Sequence, residues 1–291
     1  MDDIRGRTLG DVLSDPLLSP VARNAIRKKD LTKEPVWTMT LDQLKAAQWG
    51  GDVALGLTRL LRAAKSGHWC FPLYPGDEDP ERAEVTLTWL PSDDPAADTR
   101  PYLFIVPGGG FVNVWSLTEG WPIAAHFNAR GYHAFVLSYR VAERLAIPHA
   151  MEDMAQAIRF IRDRADLFPV RWDRYITCGF SAGGYLIGLW ATRQYGAASF
   201  SLPQPLAMLP VYPVTSWRLC MEREGFKPMP SAWLLGCSME EALASAYELP
   251  EHVEGFPPCA IFLAAQDDLV PSEHSLVLKR ALDAKGIPCR L

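Results

Sequence analysis

The stretch Gly179-Phe180-Ser181-Ala182-Gly183 restricts the possible folds of this chain more than any other. It follows the apolar run Tyr175-Ile176-Thr177-Cys178 and precedes Tyr185-Leu186-Ile187-Gly188-Leu189-Trp190, so a G-x-S-x-G pattern stands between an expected strand and an expected helix. A strained turn of this kind pushes the serine hydroxyl into a cleft, and its small flanking residues let backbone segments come close together. The pattern alone is weak: at ordinary Gly and Ser frequencies about one chain in ten of this length carries it by chance. Its strand-then-helix setting makes Ser181 the candidate nucleophile.

The flanking pattern supplies the rest of such a fold. From Glu84 onward short apolar runs alternate with helical ones, with strands expected at 85–90, 102–106, 133–139, 175–179, 206–212 and 259–265. Helices are expected between them, notably at 151–165, where Met154, Ile158 and Ile161 mark one face, and at 272–284. This alternation predicts an α/β class, with a mainly parallel sheet covered on both faces. Residues 1–68 differ in style. Thr40 and Gln43 have capping-box spacing, and Leu57, Leu60, Leu61 and Ala64 recur at helical intervals. The expected organisation is a helical N-terminal extension, 1–68, packed on a domain of residues 69–291. A separate partner-binding arm is the alternative, although so short a piece would struggle to form its own core.

Composition excludes several classes of function. A net charge of −5, with no block of Lys and Arg, argues against nucleic acid or an anionic membrane as the main partner and favours a small or neutral molecule as substrate. The start, Met1-Asp2-Asp3-Ile4-Arg5, is acidic where an export signal would be basic. The longest uncharged stretch, between Arg193 and Arg218, is interrupted by prolines at 203, 205, 210 and 213, and reads as strand plus loop rather than a membrane span. Six scattered cysteines (70, 178, 220, 237, 259 and 289) form no C-x-x-C pair and have no histidines at zinc-like spacing. Reduced thiols in the cytoplasm are the expectation.

Two further segments complete a catalytic constellation. Ile105-Val106-Pro107-Gly108-Gly109-Gly110-Phe111 is a strand running into three glycines, where backbone N–H groups can face a developing oxyanion. Gly109, Gly110 and Ala182 are the expected donors. A phosphate-cradling loop is the competing reading, but no G-K-[ST] follows. Leu263-Ala264-Ala265-Gln266-Asp267-Asp268-Leu269-Val270-Pro271 places an acid at the end of a strand, with Asp267 the candidate partner of a catalytic histidine and Asp268 the alternative. Either acid could instead only cap the helix that begins near Ser272. Trp115, Trp121 and Tyr212-Pro213 could wall the acyl pocket, though aromatics in such places are more often core.

Taken together, residues 102–192 resemble the esterase family that includes acetyl-xylan esterases and bifunctional feruloyl and acetyl-xylan esterases. The resemblance rests on Pro107-Gly108-Gly109-Gly110-Phe111, Glu119-Gly120-Trp121-Pro122, Ser138-Tyr139-Arg140-Val141, Asp153 and Gly179-Phe180-Ser181-Ala182-Gly183-Gly184, and the Asp267–Pro271 segment extends it. It implies an α/β-hydrolase fold and cleavage of short acyl esters, often acetyl groups on carbohydrates, without cofactor or metal. Residues 1–68 are not explained by it. In that family a histidine follows the last strand, whereas this sequence ends at Ile287-Pro288-Cys289-Arg290-Leu291, where that strand would begin. The last strand, the histidine loop and the C-terminal helix are therefore expected to be missing. His68, His126, His133, His149 and His252 precede the acid, and His274 lies too close after it, in the first turn of a helix. Two readings follow: a serine esterase with its base missing or unusually supplied, or a non-catalytic binder that keeps the cleft. A peptidase is less favoured because no extra substrate-binding domain is evident.

Overall fold

In the computed structural model, residues 3–47, 52–222 and 231–291 are described. Met1 and Asp2 of the acidic start lie outside them. Eight strands form a single sheet: β1 (Cys70–Pro72), β2 (Thr86–Leu90), β3 (Tyr102–Val106), β4 (Ala134–Ser138), β5 (Tyr175–Phe180), β6 (Ala207–Val211), β7 (Cys259–Ala260) and β8 (Cys289–Arg290), in the order β1-β2-β4-β3-β5-β6-β7-β8. The pairs β1–β2 and β2–β4 are antiparallel and the remaining pairs are parallel.

Both faces of the sheet are buried, and side chains alternate between them along each strand. Tyr102, Phe104, Val106, Phe135 and Leu137 enter one apolar cluster, together with Ile158 and Ile161 of helix α3 (Ala146–Asp163) and Leu186 and Leu189 of helix α4 (Ala182–Ala191). Leu103, Ile105, Ala134 and Val136 enter the other. There they meet Leu57 and Leu60 of helix α1 (Val53–Ala64), Trp121 and Ala124 of helix α2 (Trp121–Asn128), and Leu9, Val12 and Leu41 from the first 68 residues. Thr40 and Gln43 close a reciprocal capping box on the short helix Leu41–Ala46.

Several element boundaries differ from the sequence expectation. α3 starts at Ala146, upstream of the expected 151, because Pro148 lies in the first turn, where its missing N–H breaks no bond. β1 was not expected. It is a three-residue edge strand ending in proline. β7 is much shorter than 259–265 and continues only as an isolated bridge between Val211 and Phe262. Contrary to the expectation that the last strand is missing, Cys289 and Arg290 form β8 and pair with Cys259 and Ala260. Helix α5 (Glu273–Ala284) occupies the expected place, and no helix among the described residues is long and apolar enough to cross a membrane.

Candidate active site

Ser181 joins β5 to α4 in a conformation rare for a side-chain-bearing residue, φ 49° and ψ −115°. Neighbouring backbone holds it there. Its N–H donates to Val211 O at 3.0 Å, and its C=O accepts from Tyr185 N–H at 3.1 Å and Val214 N–H at 3.2 Å. The tightness of the turn explains the small residue two places on: a Cβ on Gly183 would lie 2.0 Å from Val106 O. Ala182 opens α4, so its N–H lies among those left without an intrahelical acceptor.

The glycine turn sits beside this elbow. Gly109 has φ 140°, and a Cβ there would lie 2.1 Å from Asn113 O. The turn closes on itself: Gly109 O accepts from Val112 and Asn113 N–H, and Gly108 O accepts from Trp115 N–H at 3.0 Å. No hydrogen bond among the described residues takes up the N–H of Gly109 or Gly110. Tyr139 braces the turn from below, its O–H donating to Pro107 O at 2.7 Å. Next to it, Arg140 is held by the fully buried Asp153, whose carboxylate accepts from the Arg140 backbone N–H at 2.8 Å, from its Nε at 3.0 Å and from Tyr74 O–H at 2.9 Å. Tyr139 thus supports the turn directly, and Asp153 fixes the residue that follows it.

One cavity of about 730 Å³ collects the expected groups: Ser181, Ala182, Gly109, Gly110 and Asp267 all line it. Asp268 does not line it. Asp267 Oδ1 accepts from Leu269 N–H at 2.9 Å and Val270 N–H at 2.8 Å, so the carboxylate fixes the turn leading toward α5 as well as facing the cavity. Trp115 and Tyr212 line the cavity, but Trp121 is buried in the sheet's core instead. An indole is mostly apolar surface, and α2 turns this one inward.

Two cavity residues had been given no role there. His274 is buried in the first turn of α5, and its Nδ1 accepts from Thr215 N–H at 3.1 Å and Ser216 N–H at 3.3 Å. That arrangement places the ring proton on Nε2, which lies 4.0 Å from Cys220 Sγ. Glu119 stands in the turn Ser116–Gly120 that leads into α2. Its Oε2 accepts from Gly108 N–H at 2.6 Å and its Oε1 from Tyr212 O–H at 3.0 Å. Burial pushes this carboxyl above its ordinary value, against the pull of both hydrogen bonds. The sequence signal for Glu119 is the lone acid in the otherwise uncharged run from Phe111 to Phe127. Chemically, the cavity offers a serine hydroxyl, a set of N–H donors beside it and a fixed carboxylate, and among the described residues no cluster of side chains could hold a metal ion.

Comparison with known proteins identifies the family. The BD-FAE family model matches residues 90–282. The chain is 29% identical over 215 residues to endo-1,4-beta-xylanase B of Butyrivibrio fibrisolvens, covering 69% of this chain and 32% of that protein. It is 27% identical over 183 residues to an acetylxylan esterase of Xylanibacter ruminicola, covering 57% of this chain and 33% of that one. The chain thus spans about a third of the length of these relatives. Among solved structures, an acetyl ester-xyloside bifunctional hydrolase from Caldicellulosiruptor lactoaceticus superposes with a TM-score of 0.61 at 27% identity, over 76% of this chain and 84% of that one. With a family match across most of the chain and a mainly parallel sheet whose serine elbow faces a glycine turn, the chain belongs to the BD-FAE family and has the α/β-hydrolase fold.

Proposed function

We propose that the protein is a carboxylic ester hydrolase that cleaves short acyl esters, acetyl groups on carbohydrates among them, through Ser181. The observation that carries this reading is the strained Ser181 turn facing one cavity with Gly109, Gly110, Ala182 and Asp267. Ser181 Oγ attacks the ester carbonyl carbon, and the oxygen that becomes negative is received by the N–H groups of Gly109, Gly110 and Ala182. Each well-aimed donor is worth roughly 3 kcal/mol in such a transition state. The proton of the Ser181 hydroxyl passes to solvent on attack and the leaving oxygen takes one up from it, so that collapse of the tetrahedral intermediate expels the alcohol and leaves an acyl-serine, which water then hydrolyses to the acid and the free hydroxyl. Asp267 has the place of the acid that orients a general base and stabilises its charged form.

His274 does not serve as that base in this arrangement, because backbone N–H groups occupy its Nδ1 and its Nε2 carries the proton. Slow turnover by these 291 residues is therefore expected, on the order of the 10³–10⁴-fold acceleration over water that survives loss of a triad member. The same observation favours a second reading, a binder that holds esters in the cleft without releasing product. The test is labelling with an aryl organophosphonate followed by mass spectrometry, alongside kcat/KM for a series of aryl esters. An adduct on Ser181, its loss in Ser181→Ala, and faster hydrolysis of acetates than octanoates are expected. An adduct on another serine, or a preference for long acyl chains, would overturn the proposal. A Ser181 adduct with no measurable product release would favour the binder.

A further inference from the structure

We infer that Glu119 is a positioning residue of the oxyanion site, holding the glycine turn in register with the Ser181 elbow by accepting hydrogen bonds from Gly108 and Tyr212 at once. This rests on the ester-hydrolase reading above and adds a residue to it.

The argument starts from where the two partners stand. Gly108 immediately precedes the proposed donors Gly109 and Gly110, so the direction of its peptide plane sets theirs. It is wedged in place: a Cβ on Gly108 would lie 2.6 Å from Phe180 O, 2.9 Å from Glu119 Oε2 and 3.0 Å from Ser181 Cβ. Tyr212 follows β6, at φ 36°, and its N–H donates to Phe262 O at 2.6 Å. The residues on either side of it hold the elbow, through Val211 O and Val214 N–H. Glu119 therefore ties the strand end that carries the donors to the strand end that carries the elbow's support, with bonds of 2.6 and 3.0 Å. Glu119 is anchored in turn: its N–H donates to Trp115 O at 2.9 Å.

The chemistry of the group fits this task. A carboxylate can accept from an N–H and an O–H at the same time, one on each of its two oxygens, whereas an ammonium accepts none and a hydroxyl has a single oxygen to serve both. Its burial disfavours the charged form. A costly group retained at such a place, with each oxygen committed to a donor, is accounted for by what it holds. A glutamine of the same shape can reproduce the contacts without charge, its Oε1 accepting from Gly108 and its Nε2 donating to the Tyr212 oxygen. An alanine cannot.

The test uses the full chain and phenylboronic acid, whose boron bonds the serine oxygen as the hydroxyl proton passes to buffer. The resulting tetrahedral boronate is an anion that places a boron-bound hydroxyl oxygen where the oxyanion would lie. Dissociation constants would be measured for wild type, Glu119→Ala, Glu119→Gln and Tyr212→Phe, with thermal melts to confirm folding and the Gly108 amide followed by ¹H–¹⁵N NMR. Glu119→Ala is expected to weaken boronate binding by about tenfold or more, as loss of aim at an oxyanion donor does. It should also move the Gly108 amide proton upfield from its short hydrogen bond. Glu119→Gln should restore both, and Tyr212→Phe should weaken binding by about threefold, as loss of one hydrogen bond does. Equal affinity in wild type and a folded Glu119→Ala would overturn the inference while leaving the ester reading intact. Glutamine as weak as alanine would also overturn it, because charge and not positioning would then be the role. If Glu119→Ala does not fold, the other two variants decide, and unchanged affinity in Tyr212→Phe overturns the inference. Failure of wild type to form a Ser181 adduct would remove the ester reading and this inference with it.

Discussion

Glu119 should be a liability for stability. Burial raises its carboxyl above the ordinary 4.5, so the folded protein keeps this proton to higher pH than the unfolded chain does. The stability associated with the neutral form is complete below pH 4.5 and is lost as pH rises through the folded value. Glu119→Gln removes that titration. Its melting temperature relative to wild type should rise from pH 4.5 upward and then level off, measured by calorimetry across pH. A constant difference would mean that the carboxylate is not desolvated. Asp153 is the opposite case. It is fully buried and holds Arg140, which is 3% exposed, so Asp153→Ala leaves a buried cation short of its partner and should cost about 3–5 kcal/mol in urea unfolding. Legibility at this scale follows sequence distance. Ser181 was visible because its turn is written in five consecutive residues, and Gly109 and Gly110 because three glycines follow a strand. Glu119 was not assigned a role, because its partners Gly108 and Tyr212 are brought to it by separate strand ends. Asp267 and Asp268 are adjacent, and only the direction of a turn distinguishes them.

Among the elements, the strands with both faces buried were read closely, and the edges were not. β3 spans the expected 102–106 because five apolar residues in a row have no other stable place in such a sheet. β1 and β8 are short, and each lies at an edge of the sheet, where an apolar run is not required. α1 was recognisable from its helical spacing, yet which surface it would cover was not. In the fold it packs against α2, with Leu57 fully buried between them and the sheet. Leu57→Ala should cost about 2–5 kcal/mol, seen as a lower urea midpoint with unchanged slope. The residues preceding α1 also reach the candidate site. Arg27 N–H donates to Val114 O at 2.9 Å and Leu117 N–H donates to Ala25 O at 2.8 Å, so the segment after the glycine turn is paired to the N-terminal region.

For the molecule as a whole, one face of the sheet is filled largely by residues that come before the first strand. A chain starting at residue 69 would leave Leu103, Ile105, Ala134 and Val136 with much of their cover removed. It should be recovered as aggregate or as a species that binds a hydrophobic dye strongly, and a soluble, cooperatively melting fragment would show that the covering is dispensable. The α/β class could be read from the alternation of strands and helices, which is local. That the first 68 residues pack on the domain was expected, but not which strands they cover, since their partners are long-range in sequence. That ordering also has a consequence during synthesis. Leu9, Leu41 and Leu57 leave the ribosome before Ile105 and Val136 exist to receive them. At ordinary elongation rates the interval between residues 64 and 136 is roughly 4 to 14 seconds, far longer than a hydrophobic collapse takes. The nascent chain therefore passes through a stage in which the helices before β1 cannot yet bury their apolar faces against the sheet, and slower translation would lengthen that stage.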